Sequence, residues 1–196
     1  GSVDETFATL DSRGNRVKRE GNIGAPVDLS GTTRVVEFNN LAAMEAALKK
    51  GDVAAILMEP AMTNIGIVLP EKGYLEAVGK LAKKYGAVWI IDETHTISVG
   101  PGGMTKKYKL KPDMLTIGKA IAGGLPTGTF GMTKAIADQI AAKVKREIVD
   151  TGGIGSTLAG NALSAAAMRV TLKSVLNEKN FKKMIALGTR WSDGVD

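Results

Sequence analysis

Ala87-Val-Trp-Ile-Ile-Asp92-Glu93-Thr94-His95-Thr96 is the stretch on which the fold turns. Five apolar residues run without alternation and then stop at two carboxylates. Such a run reads as a strand covered on both faces, the habit of a parallel sheet with helices on each side. In open α/β sheets, ligands bind beyond the carboxyl ends of the strands. Asp92 therefore stands where a ligand is expected. The pair also has a plainer reading, as a strand exit that caps the following turn.

A second phrase downstream strengthens the first: Asp113-Met-Leu-Thr-Ile-Gly-Lys119-Ala-Ile-Ala-Gly123-Gly124-Leu-Pro126. An apolar strand leads into Gly118, Lys119 follows at once, and a glycine-rich stretch almost without charge comes next. On this reading Lys119 lies where a ligand reaches it and water is scarce. Desolvation frees a lysine amine as a nucleophile. Such an amine forms imines with carbonyls, including the aldehyde of pyridoxal phosphate. An aspartate on the pyridinium nitrogen with a Schiff-base lysine is what proteins usually supply to that cofactor. A lysine aldolase needs no pyridinium partner, so Asp92 argues against it. Taken alone, Lys119 reads as a surface lysine.

Outward from these phrases, strands and helices alternate. Arg34–Phe38 reads as a short strand. Asn39-Asn40 caps a helix over 41–48 that Gly51 ends, and 53–58 reads as a buried strand. An amphipathic helix covers 71–85, with Leu75, Val78, Leu81, Ala82 and Tyr85 on one side and Gly86 at its end. A long Gly/Pro-rich loop follows the Trp89 strand. The Met114 strand and a strand over 127–132 come next, and Thr133 opens a helix. From Gly160 onward the chain is helical and alanine-rich. The pattern predicts an α/β fold, a mainly parallel sheet with flanking helices.

Composition narrows the function classes. A chain of 196 residues, 44% hydrophobic, suits a globular piece with a sizeable core. No apolar run approaches the ~20 residues of a membrane span, and the first residues lack a signal pattern. The chain has no cysteine and one histidine, which argues against thiolate and histidine metal sites. The net charge of +6 comes from short, scattered lysine clusters with few aromatics. These read as solvated faces, several at helix C-termini where cations are favoured, rather than as a nucleic-acid surface.

Four phrases together resemble the class III (subgroup II) aminotransferases, closest to the glutamate-1-semialdehyde aminomutase branch. They are Met58-Glu59-Pro60-Ala-Met-Thr-Asn64-Ile-Gly66-Ile-Val-Leu-Pro70, Ile91-Asp92-Glu93-Thr94-His95-Thr96, Ile117-Gly118-Lys119-Ala-Ile-Ala-Gly123-Gly124-Leu-Pro126 and Gly152-Gly-Ile-Gly155-Ser-Thr157-Leu-Ala-Gly160-Asn161. The resemblance covers nearly the whole chain. It implies the large domain of a pyridoxal-phosphate-dependent transferase of the aspartate aminotransferase-like fold (fold type I), incomplete here. Residues 1–176 would belong to the cofactor-binding large domain, and 177–196 would lead toward an absent small domain.

By the same resemblance, Lys119 carries the cofactor and shuttles the proton, and Asp92 binds the pyridine nitrogen. Asn64 lies near the ring hydroxyl. Thr157 binds the phosphate, in the family from a neighbouring subunit. Relatives commonly carry valine, packed under the ring, where this chain has Thr94. They carry glutamine or methionine where it has His95. Glu59-Pro60 reads equally as a strand-ending turn, Thr157 as a helix N-cap, and His95 as a hydrogen-bonded loop residue. The implied reaction is amino-group transfer between a small-molecule amino donor and a keto acid, in a cytoplasmic homodimer that engages neither nucleic acid nor membrane. An aminomutase acting on an amino-aldehyde is the alternative within the class. A non-catalytic fragment, lacking the family's upstream phosphate loop and ring-stacking aromatic, is the alternative outside it.

Overall fold

The computed structural model describes residues 8–18, 31–142 and 159–195. Thr157, with the glycine-rich phrase before it, lies outside the described residues. The chain divides into two units, residues 1–53 and 54–196.

In the first unit, strands β1 (Ala8–Leu10) and β2 (Arg16–Lys18) pair antiparallel, with Thr9 opposite Val17. Asp11 organises the turn between them. Its Oδ1 accepts the backbone N–H groups of Arg13 and Asn15, both at 2.8 Å, as an Asx-type turn requires. Helix α1 (Leu41–Leu48) starts at Asn40, whose side chain accepts the Ala43 N–H at 2.9 Å, and it buries Met44 and Leu48. The expected strand over Arg34–Phe38 does not form. A β-prone segment needs a partner ladder, and no strand pairs with it among the described residues. Instead the Arg34 guanidinium grips both carboxylate oxygens of Asp52, each at 2.5 Å.

The second unit carries a four-stranded sheet in the order β3 (Ala55–Met58), β4 (Val88–Asp92), β5 (Met114–Gly118), β6 (Gly128–Met132). The first three strands are parallel, and β6 runs antiparallel to β5. β4 lies inside the sheet, and Trp89 and Ile91 are buried. The 53–58 run, expected to be buried, is only half so. β3 lies at the sheet's edge, and Leu57 is 55% exposed while Ile56 is buried.

Helix α2 (Tyr74–Tyr85) buries Tyr74, Leu75, Val78 and Ala82, and ends at Gly86. Each large apolar side chain so buried contributes about 1.5–3 kcal/mol. Gly79 sets how closely α2 approaches the sheet. A Cβ there would lie 2.6 Å from the Trp89 ring, so only glycine lets helix and indole meet at this distance.

The Gly/Pro-rich stretch after β4, read from the sequence as a long loop, is largely ordered. It holds a 3₁₀ turn (Thr96–Val99) and the short helix α3 (Gly103–Lys107). Another 3₁₀ turn (Lys119–Ala122) follows β5 and buries Ile121 and Ala122. Helices α4 (Lys134–Ala141) and α5 (Ala162–Val170) come next, then a π-helical segment (Thr171–Val175) and α6 (Glu178–Asp193), which buries Phe181. Asn161 and Asn177 cap α5 and α6, each accepting an N–H from three residues on. The alanine-rich α5 buries none of its residues, contrary to the close packing its composition suggests.

Candidate active site

The carboxyl ends of β4 and β5 bring the two leading residues to one edge of the sheet. Asp92 is the last residue of β4 and pairs with Thr116 of β5. Lys119 comes three residues beyond Thr116, directly after the strand ends at the buried Gly118. The Asp92 carboxylate is half-buried, and Oδ1 accepts the Thr94 N–H at 2.9 Å. Oδ2 has no partner among the described residues, which leaves an acceptor for a ligand N–H. Thr94 joins the same corner. A Cβ on Gly118 would stand 3.5 Å from its methyl and 3.6 Å from its hydroxyl.

Lys119 has φ +50°, one of the few non-glycine residues in left-handed conformation among those described. That conformation is strained for a side chain with a Cβ, and such strain gathers at functional sites. Its amine makes no hydrogen bond or ion pair among the described residues. The sequence placed it where water is scarce, but the side chain is exposed. The left-handed turn carries it out past the end of the ladder, where nothing in the described residues covers it. The dry setting expected for the amine is not supplied by these residues.

The carboxylate next to Asp92 has a different task. Glu93 is fully buried. Its Oε2 accepts the Thr96 hydroxyl at 2.5 Å and the Met104 N–H at 3.1 Å, and its Oε1 accepts the Thr105 N–H. The last two are first-turn donors of α3, which lack partners inside the helix. A carboxylate satisfies them and matches the dipole. Gly103 allows the approach, since a Cβ there would lie 2.3 Å from Oε2. The plain reading of the acidic pair, as a cap, therefore holds for Glu93, whereas Asp92 stays turned to the sheet edge. Sequence reasoning missed this division, because the capped helix lies ten residues further on.

A third group lies at the same edge. Glu59 follows β3, and its Oε2 accepts the Thr63 hydroxyl at 2.6 Å. Thr63 Oγ1 in turn lies 2.5 Å from His95 Nδ1. His95 is thus a hydrogen-bonded loop residue, and Thr63 is a site neighbour that sequence reasoning did not single out. The i, i+4 spacing of Glu59 and Thr63 in a turn was the available signal. Asn64 sits exposed in the loop after β3, where Met62 and Val68 form an antiparallel bridge. Thus the carboxyl ends of β4 and β5 deliver Asp92, Thr94 and Lys119 to one edge, Asn64 makes no hydrogen bond with them among the described residues, and Thr157 cannot be placed.

The model of the family "Aminotransferase class-III" matches residues 20–195. The chain belongs to the class III aminotransferases. Among curated proteins it is similar to glutamate-1-semialdehyde 2,1-aminomutase of Anaeromyxobacter dehalogenans strain 2CP-C, 35% identical over 175 residues, which covers 88% of this chain and 39% of that one. Among solved structures it is similar to a glutamate-1-semialdehyde-aminomutase from Pseudomonas aeruginosa PAO1. That likeness has a TM-score of 0.94 at 44% identity, over 100% of this chain and 44% of that one. A lysine-to-alanine variant of that enzyme, solved in complex with PMP, matches with a TM-score of 0.93 at 43% identity, over 100% and 44% of the two chains. The chain therefore spans about two-fifths of the length of the relatives it matches.

As a class III aminotransferase chain it has the fold that the sheet pattern and the four phrases anticipated, with its middle strands parallel and helices between them. Among the described residues no helix is long and apolar enough to cross a membrane.

Proposed function

We propose that this chain carries the cofactor-binding part of a pyridoxal-phosphate-dependent aminotransferase. One observation carries the reading: the register that pairs Asp92 with Thr116 sets a carboxylate with an unpartnered oxygen beside the strand that delivers Lys119. Bound pyridoxal phosphate supplies an aldehyde for an amine and a protonated ring that withdraws electrons.

The donor set fits that group. Asp92 Oδ2 would hold the pyridinium N–H, a charge-assisted hydrogen bond in the ~1.5–3 kcal/mol class. Thr94 N–H fixes the carboxylate's orientation through Oδ1. The Lys119 amine would take the cofactor's aldehyde and later move a proton at the substrate carbon. Thr94 would lie under the ring, Asn64 near its hydroxyl, and Thr157 would contact the phosphate from a neighbouring subunit. Residues 1–176 would form part of the large domain, with α6 leading toward a small domain. The acting species would be a cytoplasmic homodimer, using a small-molecule amino donor and a keto acid.

The names of the similar proteins favour a second reading in the same chemistry, an aminomutase that moves an amino group within an amino-aldehyde. Dependence of turnover on an added keto acid separates the two.

The test is reductive trapping. The chain is incubated with pyridoxal phosphate, reduced with borohydride, digested and mapped. The reading expects the adduct on Lys119 and its loss in Lys119→Ala. An adduct confined to other lysines, with Lys119 unmodified, refutes it. Trapping on Lys119 with no amino transfer would support a binding fragment.

A further inference from the structure

We infer that His95 is an imidazole held in one tautomer, Nδ1–H, by Glu59 and Thr63, so that its Nε2 is a standing acceptor for an N–H or O–H donor of a ligand at the sheet edge. The ligand part rests on the aminotransferase reading, and the tautomer does not.

The argument is one of proton count. A threonine hydroxyl has one proton. Thr63 gives it to Glu59 at 2.6 Å. Its oxygen then has only lone pairs to offer His95 Nδ1 at 2.5 Å. That contact is attractive only if Nδ1 carries the proton. The reverse assignment would set the Thr63 lone pairs against an ionised Glu59 and leave that close contact without a hydrogen. Glu59 Oε2 also lies 3.5 Å from Nδ1, so its charge favours a proton there. In the neutral ring a proton on Nδ1 leaves Nε2 bare.

Location turns this into a site. His95 comes three residues after Asp92, and Glu59 one residue after β3 ends. The relay therefore ties the carboxyl ends of two parallel strands at the edge that holds the candidate active site. The His95 side chain is 34% exposed, and Nε2 has no partner among the described residues. A carboxylate behind the ring makes a cationic donor, such as a primary ammonium, the best match for Nε2. Thr63 and Glu59 are positioning residues, acting through the imidazole.

The chain has a single histidine, so imidazole nitrogen NMR of the ¹⁵N-labelled protein reads His95 alone. The expectation for the neutral ring is a predominant Nδ1–H form. Thr63→Val should lower the ratio of Nδ1–H to Nε2–H by about tenfold, as the loss of one short hydrogen bond implies. Thr63→Ser, which keeps the hydroxyl, should retain the parental ratio. A predominant Nε2–H form in the parent, or a ratio unmoved in Thr63→Val, overturns the proposal. If Thr63→Val fails to fold, the parental tautomer and the Thr63→Ser ratio decide it. Pyridoxamine 5′-phosphate, which carries a primary ammonium, is then titrated. Binding that shifts Nε2 supports the ligand role, and binding seen by absorbance with both ring nitrogens unmoved refutes it. If nothing binds, the ligand role of Nε2 fails in this chain while the family membership is untouched, and the ligand-free tautomer still decides the rest of the proposal.

Discussion

Glu93→Gln tests how the buried carboxylate holds the segment beside the edge of the candidate active site. The substitution keeps shape and volume but replaces one acceptor oxygen with an NH₂ group. Three donors converge on Glu93: the Thr96 hydroxyl and Met104 N–H on Oε2, and the Thr105 N–H on Oε1. Whichever way the amide turns, an NH₂ faces at least one donor. The smaller loss sets it against Thr105, whose half-buried N–H is then left without its partner, at about 1–3 kcal/mol. The other two bonds fall from the charge-assisted to the neutral class, by about 1 kcal/mol each. Relief of the carboxylate's desolvation works the other way, so the net destabilisation is set at about 2 kcal/mol. Urea unfolding of parent and variant measures it, and hydrogen exchange at the Met104 and Thr105 amides localises it to α3. A variant within about 0.5 kcal/mol of the parent, with Thr105 protection unchanged, would refute the capping argument.

Gly79→Ala should destabilise by about 1–3 kcal/mol and blue- or red-shift the emission of Trp89, because the new methyl would lie 2.6 Å from the ring; thermal unfolding with fluorescence checks both. Lys119→Val should lose about 1–2 kcal/mol, since a β-branched residue fits left-handed backbone poorly, whereas Lys119→Gly should not; equal stabilities in denaturant would contradict the strained turn. The Arg34 guanidinium holds the Asp52 carboxyl below its ordinary value. Folded Asp52 therefore binds fewer protons than unfolded Asp52 around and below pH 3.8, and the pair's stabilisation, present above that value, is lost as pH falls. Asp52→Asn should remove this acid-side slope from the unfolding profile, by a small amount because the pair is exposed to solvent.

The sheet was legible where burial leaves a mark on composition. The unbroken run 87–91 is buried enough in β4 to be read as an inner strand, and the Asn40 and Gly86 boundaries follow from local chemistry. The direction of β6 was not legible, because either direction demands the same residues and only the return loop decides it. Arg34–Phe38 misled because its residues favour a strand, but a strand exists only with a partner. Asp92 and Lys119 were legible as strand-end residues in a shared edge. The exposure of Lys119 was not, since it depends on what covers the edge from elsewhere. Glu93 escaped notice because the helix it caps lies ten residues further on, and Thr63 because its i, i+4 spacing from Glu59 falls in an irregular turn rather than a helix.

The reversal at β6 has a consequence for how such a site diversifies. Because Gly118 pairs with Gly128, residues 119–127 form a ring pinched shut at its neck, and Lys119 is the first residue past the pinch. Lengthening the far side of a closed ring is inexpensive, about 0.6 kcal/mol for each doubling. Insertions near Gly123 or Gly124 can therefore reshape the surface beside the candidate site while the Lys119 anchor stays fixed. Loss of the Gly118–Gly128 rung would do the opposite, setting the anchor adrift with the loop unchanged in sequence. Variation is thus channelled to one arc of the ring, and the Lys119 amine keeps its address.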